Sequence, residues 1–184
     1  MYRLPTLEEG KLSPAQRAVY DAVRSGPRGV VQGPLLAWLH SPDLAARAQE
    51  LGAFCRYHSS LPPRLSELAI LVTGAFWRAG FEWHVHAPIG IEAGLDPASV
   101  EALRSGAEPR FARADERAVH RFAHELLHDH VVSDAAYRDA EAALGAAGVV
   151  DLVGVLGYYG LISMTINAFR VPLPDGAAEP FQDA

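Results

Sequence analysis

Proton-carrying side chains are concentrated between residues 62 and 94 of the 184-residue chain. Glu67 comes early in this stretch, and Glu82, His84 and His86 follow close together. A carboxylate and an imidazole that meet in an apolar wall shift each other's pKa, and general acid/base catalysis needs such shifted groups. These four residues are therefore the candidate catalytic residues.

The surrounding pattern predicts two helices that could position these candidates. Apolar residues recur at steps of three and four along residues 65–79, which is typical of a helix with one buried face. Gly80 interrupts the pattern, and a second, short helix follows and ends at Gly94. A break at this point can bring Glu67, in the first turn of one helix, against His86 on the other.

Each candidate also has a structural interpretation. Glu67 could be a first-turn acid that the helix dipole stabilises on a solvated surface. His86 could be a core histidine with both nitrogens satisfied, and Glu82 and His84 could simply face solvent. The residues alone leave both interpretations open.

Three stretches of the sequence resemble the carboxymuconolactone decarboxylase-like family, which also includes the alkylhydroperoxidase AhpD proteins. They are SPDLAARAQELG at 41–52, LPPRLSELAIL at 61–71 and GYYGLISMTINAFRVPLP at 157–174. The resemblance covers nearly the full chain. It implies an AhpD-like helical fold, although one fold can host several chemistries.

The resemblance also supplies positions for the candidate site. In the redox branch of the family, a Glu precedes a Cys-x-x-Cys pair and a His follows the second Cys by four residues. Glu67 and His86, which are nineteen residues apart, match that Glu and that His. Ala79 and Glu82 stand at the cysteine positions, so the redox pair is absent. This match favours a catalytic role for Glu67 and His86 over a structural one.

The activity that the resemblance implies is proton transfer without redox chemistry. Its most concrete form is a cofactor-free lyase that decarboxylates a carboxymuconolactone-like acid in aromatic catabolism. Loss of CO₂ leaves negative charge on the ring carbonyl, so the site must stabilise an enolate-like oxygen and then protonate carbon. We assign protonation to His86 and the positioning of His86 to Glu67. The alternatives are an AhpD-type peroxiredoxin-like antioxidant protein, which the missing cysteines disfavour, and a non-catalytic oligomeric binding protein.

Three further residues near the candidate site could contact a substrate. Arg64 and Arg78 flank the first of the two helices, and a substrate carboxylate is a suitable partner for either arginine. Trp83 lies between the matched positions and completes the candidate substrate-binding set. The competing interpretation makes the arginines surface ion-pair partners and Trp83 a packing residue.

A second motif, H-E-x-x-H at His124, Glu125 and His128, has the pattern of a zinc protease helix. No third histidine follows at the required spacing, and the chain is short for a protease. Neighbouring His120 and His130 make a chance match easier. We interpret the motif as a coincidence on a solvated or interface face and assign no metal site; the alternative is a fortuitous metal site.

The only cysteine, Cys55, lies on the apolar side of its predicted helix. This placement favours a small buried residue over a peroxidatic nucleophile. A single cysteine also forms no intramolecular disulfide, and no charged leader precedes an apolar segment. We therefore expect a bacterial-type cytoplasmic location.

The composition constrains the partners of the protein. A net charge of −6 with a single lysine argues against a nucleic-acid surface. Residues 149–169 are long and apolar enough for a membrane span. Asp151, Asn167 and three glycines within that segment favour a helix buried in a core, so no membrane partner is expected.

The helical pattern extends over the whole chain, with no alternating strand pattern of useful length. We predict an all-α, AhpD-like bundle of seven or eight helices in one domain over 1–184, with a core of about 13–172 and a mobile tail at 175–184. The resemblance implies a homo-oligomer, a trimer or a hexamer, that binds a small-molecule substrate. The residues expected at subunit contacts lie on the long apolar helix: Tyr158, Tyr159, Leu161 and Ile162.

Overall fold

The computed structural model describes residues 1–174 and 176–181. Within these ranges the chain forms eight α-helices and no strand, which confirms the predicted all-α class. The helices are α1 (Pro14–Ser25), α2 (Pro34–Trp38), α3 (Pro42–Tyr57), α4 (Pro63–Trp77), α5 (Gly80–Glu92), α6 (Pro97–Ser105), α7 (Ala114–His128) and α8 (Asp134–Phe169).

Local sequence signals set where the helices begin. Ser13 forms a capping box with Gln16: the Ser13 side chain accepts a hydrogen bond from the Gln16 backbone at 3.3 Å, and the Gln16 side chain accepts one from the Ser13 backbone at 3.0 Å. Proline stands in the first turn of α1, α2, α3, α4 and α6. A missing N–H costs no helical hydrogen bond there, so these prolines fix the starting points.

Helix α4 lies at the centre of the domain and packs against α5, α6, α7 and α8. Every residue from Leu65 to Gly74 is buried. The sequence pattern predicted a single buried face, and the structure differs because neighbouring helices surround α4. An ionisable side chain in the first turns of α4 therefore lies in the core.

Helix α8 is long and apolar enough to span a membrane, but 61% of its most apolar 18-residue window is buried within the domain. Gly145 breaks the helical geometry with φ 71° and ψ 169°, a conformation that favours glycine. The kink divides the 36-residue element into two helical segments. Of the four residues predicted at subunit contacts, Tyr158, Tyr159 and Ile162 are buried inside the domain, so their side chains are occupied there, whereas Leu161 is half-buried.

The C-terminal segment 176–181 lies against α5. Phe181 is 9% exposed, and its ring meets that of Trp83 edge-on at 5.5 Å between centroids. Arg78 donates a hydrogen bond to the Phe181 carbonyl oxygen at 2.5 Å. Of the tail predicted to be mobile, this part packs on the domain, while 175 and 182–184 lie outside the described residues.

Candidate active site

Three buried ionisable side chains form a hydrogen-bonded row between α4 and α5, here called the triad: Glu67, His86 and Glu82. Nδ1 of His86 lies 2.7 Å from Oε2 of Glu67, and Nε2 of His86 lies 2.9 Å from Oε1 of Glu82. His86 is 1% exposed, Glu67 7% and Glu82 5%. The predicted Glu67–His86 contact is therefore present, and a second carboxylate occupies the other side of the imidazole.

The geometry of α5 explains how the triad forms. Glu82 and His86 are four residues apart, so they project from the same face of the helix. Gly90, one turn further on, allows α5 to approach α4 closely. A Cβ atom at Gly90 would lie 3.0 Å from side-chain atoms of both Leu71 and Leu95, which is tighter than an ordinary contact.

The two carboxylates decide the charge of the imidazole. Burial on its own would lower the pKa of His86, but the charge of Glu82 and the hydrogen bonds to Glu67 and Glu82 outweigh burial and raise that pKa to about 9. At neutral pH the ring is therefore an imidazolium that donates one N–H to each carboxylate. A proton is thus held in the core between two acceptors.

A cavity of about 150 Å³ opens beside the triad. Glu82 and His86 border it, and Glu67 lies behind them on α4. Arg28, from the connection between α1 and α2, and Tyr159 of α8 form other parts of the wall. An apolar cavity of roughly this volume is known to hold a benzene molecule, so the space suits a ligand of one small ring.

Two residues of the cavity wall each have a polar atom that is buried without a hydrogen-bond partner among the described residues: Oη of Tyr159 and Nε of Arg28. Arg28 does use another of its nitrogens, because Nη2 donates to Oη of Tyr158 at 3.1 Å. A side chain at Gly52 of α3 would overlap both of these groups, so the glycine makes the contact possible. Buried polar atoms are normally paired, so these two have hydrogen-bonding capacity that the described residues leave unused.

The other predicted site residues on α5 lie outside this cavity. His84 is exposed, and Trp83 is buried against Phe181. Successive positions on a helix point in different directions, and only residues three or four apart share a face. Among the described residues, the cavity wall contains neither of these side chains.

The two predicted substrate-binding arginines have protein partners instead. Arg64 forms ion pairs with Asp115, at 2.7 Å, and with Glu116, and thereby ties α4 to α7. Arg78 ends α4 in a left-handed conformation with φ 50° and lies over the ring of Phe181 at 5.3 Å. In the structure as described, both arginines hold elements of the fold together.

The H-E-x-x-H residues do not converge as metal ligands. The rings of His124 and His128 stack at 4.3 Å between centroids. Glu125 turns toward α8, where it accepts hydrogen bonds from the Ser133 backbone at 2.7 Å and from Arg121 at 2.9 Å. No group of three or more His, Cys, Asp or Glu side chains within residues 1–174 and 176–181 is arranged to hold a metal ion.

Cys55 is 1% exposed, as expected for a small buried residue. Burial, followed by the charge of Asp151, raises the pKa of its thiol. A raised pKa disfavours the thiolate that acts as a nucleophile. The thiol is therefore a poor nucleophile in this environment.

The eight described helices form an AhpD-like helical fold, and the buried carboxylate–imidazole row lies within it. Residues 42–125 match the model of the carboxymuconolactone decarboxylase family. This range runs from the start of α3 into α7 and contains the whole triad. The resemblance to this family seen in the sequence is therefore confirmed over this part of the chain.

Solved structures share the fold across nearly the whole chain. An alkylhydroperoxidase AhpD core, an uncharacterized peroxidase-related protein from Ralstonia eutropha, has a TM-score of 0.76 at 18% identity, covering 98% of this chain and 94% of that one. An uncharacterized peroxidase-related protein from a Silicibacter species has a TM-score of 0.73 at 15% identity, covering 94% and 90%.

A third similar structure is a variant of the debrominase Bmp8 in complex with 2,3,4-tribromopyrrole, with a TM-score of 0.72 at 15% identity, covering 95% of this chain and 91% of that one. Comparison with curated protein sequences gives no match. At these identities the likeness concerns the fold alone.

Proposed function

We propose that the protein is a non-redox acid/base enzyme that resembles 4-carboxymuconolactone decarboxylase and acts on a small carboxylated lactone or a related acid. One observation carries this proposal. The Glu82 carboxylate borders a ring-sized cavity and is hydrogen-bonded from behind by an imidazolium whose pKa is about 9. A buried proton supply next to a ligand space is what carbon protonation requires.

The geometry favours a different division of roles from the one predicted from the sequence. Both nitrogens of His86 are engaged with carboxylates, so the imidazole has no free N–H for a substrate. We therefore give the proton transfer to the substrate to Glu82. His86 supplies that proton to Glu82, and Glu67 holds the imidazole in place.

The chemistry has two steps at the substrate. Loss of CO₂ breaks a carbon–carbon bond, and the electron pair left behind spreads through the ring to the lactone carbonyl oxygen. Glu82 then gives a proton to carbon, and solvent later restores it to the triad. The unpaired hydroxyl of Tyr159 is a suitable donor to the developing oxyanion, because burial raises its pKa well above the usual value and keeps it protonated.

The peroxidase alternative lacks a suitable thiol. The chain has one cysteine, Cys55, which is buried, has a raised thiol pKa and does not appear on the cavity wall among the described residues. Position 79, where the redox branch has its first cysteine, is a fully buried alanine. Peroxide consumption with a thiol reductant that disappears in Cys55→Ser would favour the alternative over the decarboxylase.

The proposal is tested by measuring CO₂ release and the ultraviolet change on consumption of 4-carboxymuconolactone. General acid catalysis contributes about 10²- to 10⁴-fold, so Glu82→Gln should lower kcat by that amount. Tyr159→Phe should lower kcat by about 10²-fold through loss of an oxyanion donor. Glu92→Gln, an exposed acid at the end of the same helix, is the matched control and should retain activity.

Two results would contradict the proposal. If folded wild-type protein leaves the lactone unchanged, 4-carboxymuconolactone is ruled out as the substrate. Equal activity in Glu82→Gln and Glu92→Gln would rule out Glu82 as the proton donor, whatever the substrate.

We also propose that the protein is a homo-oligomer. Exposed apolar side chains remain on α8, where Val150 is 70% exposed, Val153 46% and Met164 45%. Leu51 and Phe54 of α3 are also exposed, at 47% and 44%. Large apolar side chains grouped on helices are typical of subunit contacts. Light scattering at micromolar concentration checks this, and a monomer would contradict it.

A further inference from the structure

We propose that Arg28 selects the substrate by binding a carboxylate on a molecule of single-ring size. This inference deepens the proposed function and rests on it for the reaction, but the binding itself can be measured separately. It concerns a residue in the glycine-rich connection between α1 and α2, far along the chain from the triad.

The first support is the unfilled hydrogen-bonding capacity of Arg28. Its Nε is buried and has no partner among the described residues, while Nη2 is bonded to the neutral hydroxyl of Tyr158. An arginine remains charged at any physiological pH and has only donors. Leaving a buried donor of a charged group unpaired is unfavourable, so the arrangement calls for an acceptor from a ligand.

The second support is that the guanidinium is held in a fixed orientation. Tyr158 stays a neutral phenol, because burial raises its pKa to about 12, and it accepts the hydrogen bond from Nη2 at 3.1 Å. The missing side chain at Gly52 leaves the space that both groups occupy. A planar guanidinium that one hydrogen bond orients, with Nε unpaired, is suited to the two oxygens of a carboxylate.

The cavity narrows the chemical class of the ligand. Its volume of about 150 Å³ suits one small ring. The wall combines apolar side chains, such as Leu35 and Ile162, with a second arginine, Arg56, and with Glu82 of the triad. A neutral ring would leave the charge of Arg28 without a partner, and a cationic ring would be repelled by it. A single-ring carboxylate satisfies both the apolar part of the wall and the arginine.

The test uses 2-furoate as the probe and its neutral amide, 2-furamide, as the matched ligand, with calorimetry on the full chain. A charge-assisted hydrogen bond corresponds to about a 10- to 100-fold change in affinity. We expect furoate to bind wild-type protein at least about tenfold more tightly than furamide. Arg28→Gln should abolish this preference, and Arg28→Lys should restore part of it.

The matched control is Arg47→Gln. Arg47 is an exposed arginine on α3, with a side chain 77% exposed, and it should leave furoate binding unchanged. Circular dichroism of each variant checks that it is folded. The comparison of furoate with furamide on wild-type protein tests the proposal even if an Arg28 variant does not fold.

Three outcomes would overturn the assignment of Arg28 as the carboxylate-binding residue. Furamide could bind as tightly as furoate, or Arg28→Gln could bind furoate like the wild type. The third outcome is that wild-type protein binds no furoate at 10 mM, roughly ten times a 1 mM Kd. The proposed reaction fails separately. If furoate binding depends on Arg28 but no CO₂ is released from the lactone, the carboxylate site stands and the decarboxylase does not. If Glu82-dependent turnover is seen without a role for Arg28 in binding, the reverse holds.

Discussion

The charge of His86 gives a quantitative prediction, because its proton should link folding to pH. In an unfolded chain the pKa of a histidine is about 6.5. In the folded protein the charge of Glu82 and the bonds to both carboxylates overcome burial and raise the pKa of His86 to about 9. Between these two values the folded state holds a proton that the unfolded state has lost.

The sign of the effect follows from the direction of the shift. Because the folded pKa is the higher one, the stabilisation is fully present below about pH 6.5 and is lost as the pH rises through about 9. Each pKa unit corresponds to about 1.4 kcal/mol. A pKa difference of about 2.5 therefore contributes on the order of 3 kcal/mol to the free energy of unfolding. The free energy of unfolding should therefore fall by roughly this amount over that interval.

Urea unfolding of the wild type at several pH values from 6.5 to 9 measures the fall directly. Glu67→Gln keeps a hydrogen-bond acceptor but removes a negative charge, so its decline should be shallower. The thiol of Cys55 also has a raised pKa and adds a loss at the alkaline end, so both proteins are best compared in a Cys55→Ala background. An NMR titration that finds His86 deprotonating near pH 6.5, or a flat stability profile, would refute the reasoning.

Three further predictions concern residues around the triad. Gly52→Ala should displace Arg28, destabilise the fold by about 1–3 kcal/mol through overpacking, and weaken furoate binding in calorimetry. Arg64→Gln should leave Glu116 buried without its counter-charge, which should lower the free energy of unfolding in urea by about 3–5 kcal/mol. The same variant should bind furoate with unaltered affinity, which would separate this structural role from the substrate-binding role predicted from the sequence. His84→Asn should retain wild-type kcat, and a large loss of activity would contradict the exposed position of His84.

Helix geometry explains which parts of the triad could be predicted. The family resemblance supplied Glu67 and His86, and the structure brings them into contact. Glu82 lies four residues before His86 and therefore shares its face, whereas His84 lies two residues before and points away. The spacing on α5 thus contained enough information to prefer Glu82 to His84.

Long-range contacts explain what the sequence did not reveal. Arg28 and Tyr158 are 130 positions apart, and the glycine-rich connection around Arg28 has no periodicity that could indicate a half-buried guanidinium. Arg64 likewise meets Asp115 and Glu116 only after α4 and α7 have packed. An arginine near a predicted site gives no sign of whether its partner is a substrate or another helix.

Position 82 on α5 shows how small a change can separate two chemistries on this fold. His86 lies one helical turn later, and its imidazole contacts the side chain at position 82. A thiol there, as in the redox branch of the family, would pass its proton to the ring and become a nucleophile. The carboxylate of Glu82 can instead receive a proton from the ring and become an acid. The position on α5 is the same in both cases. An oxidoreductase and a lyase would then differ in the direction in which a proton crosses this one hydrogen bond.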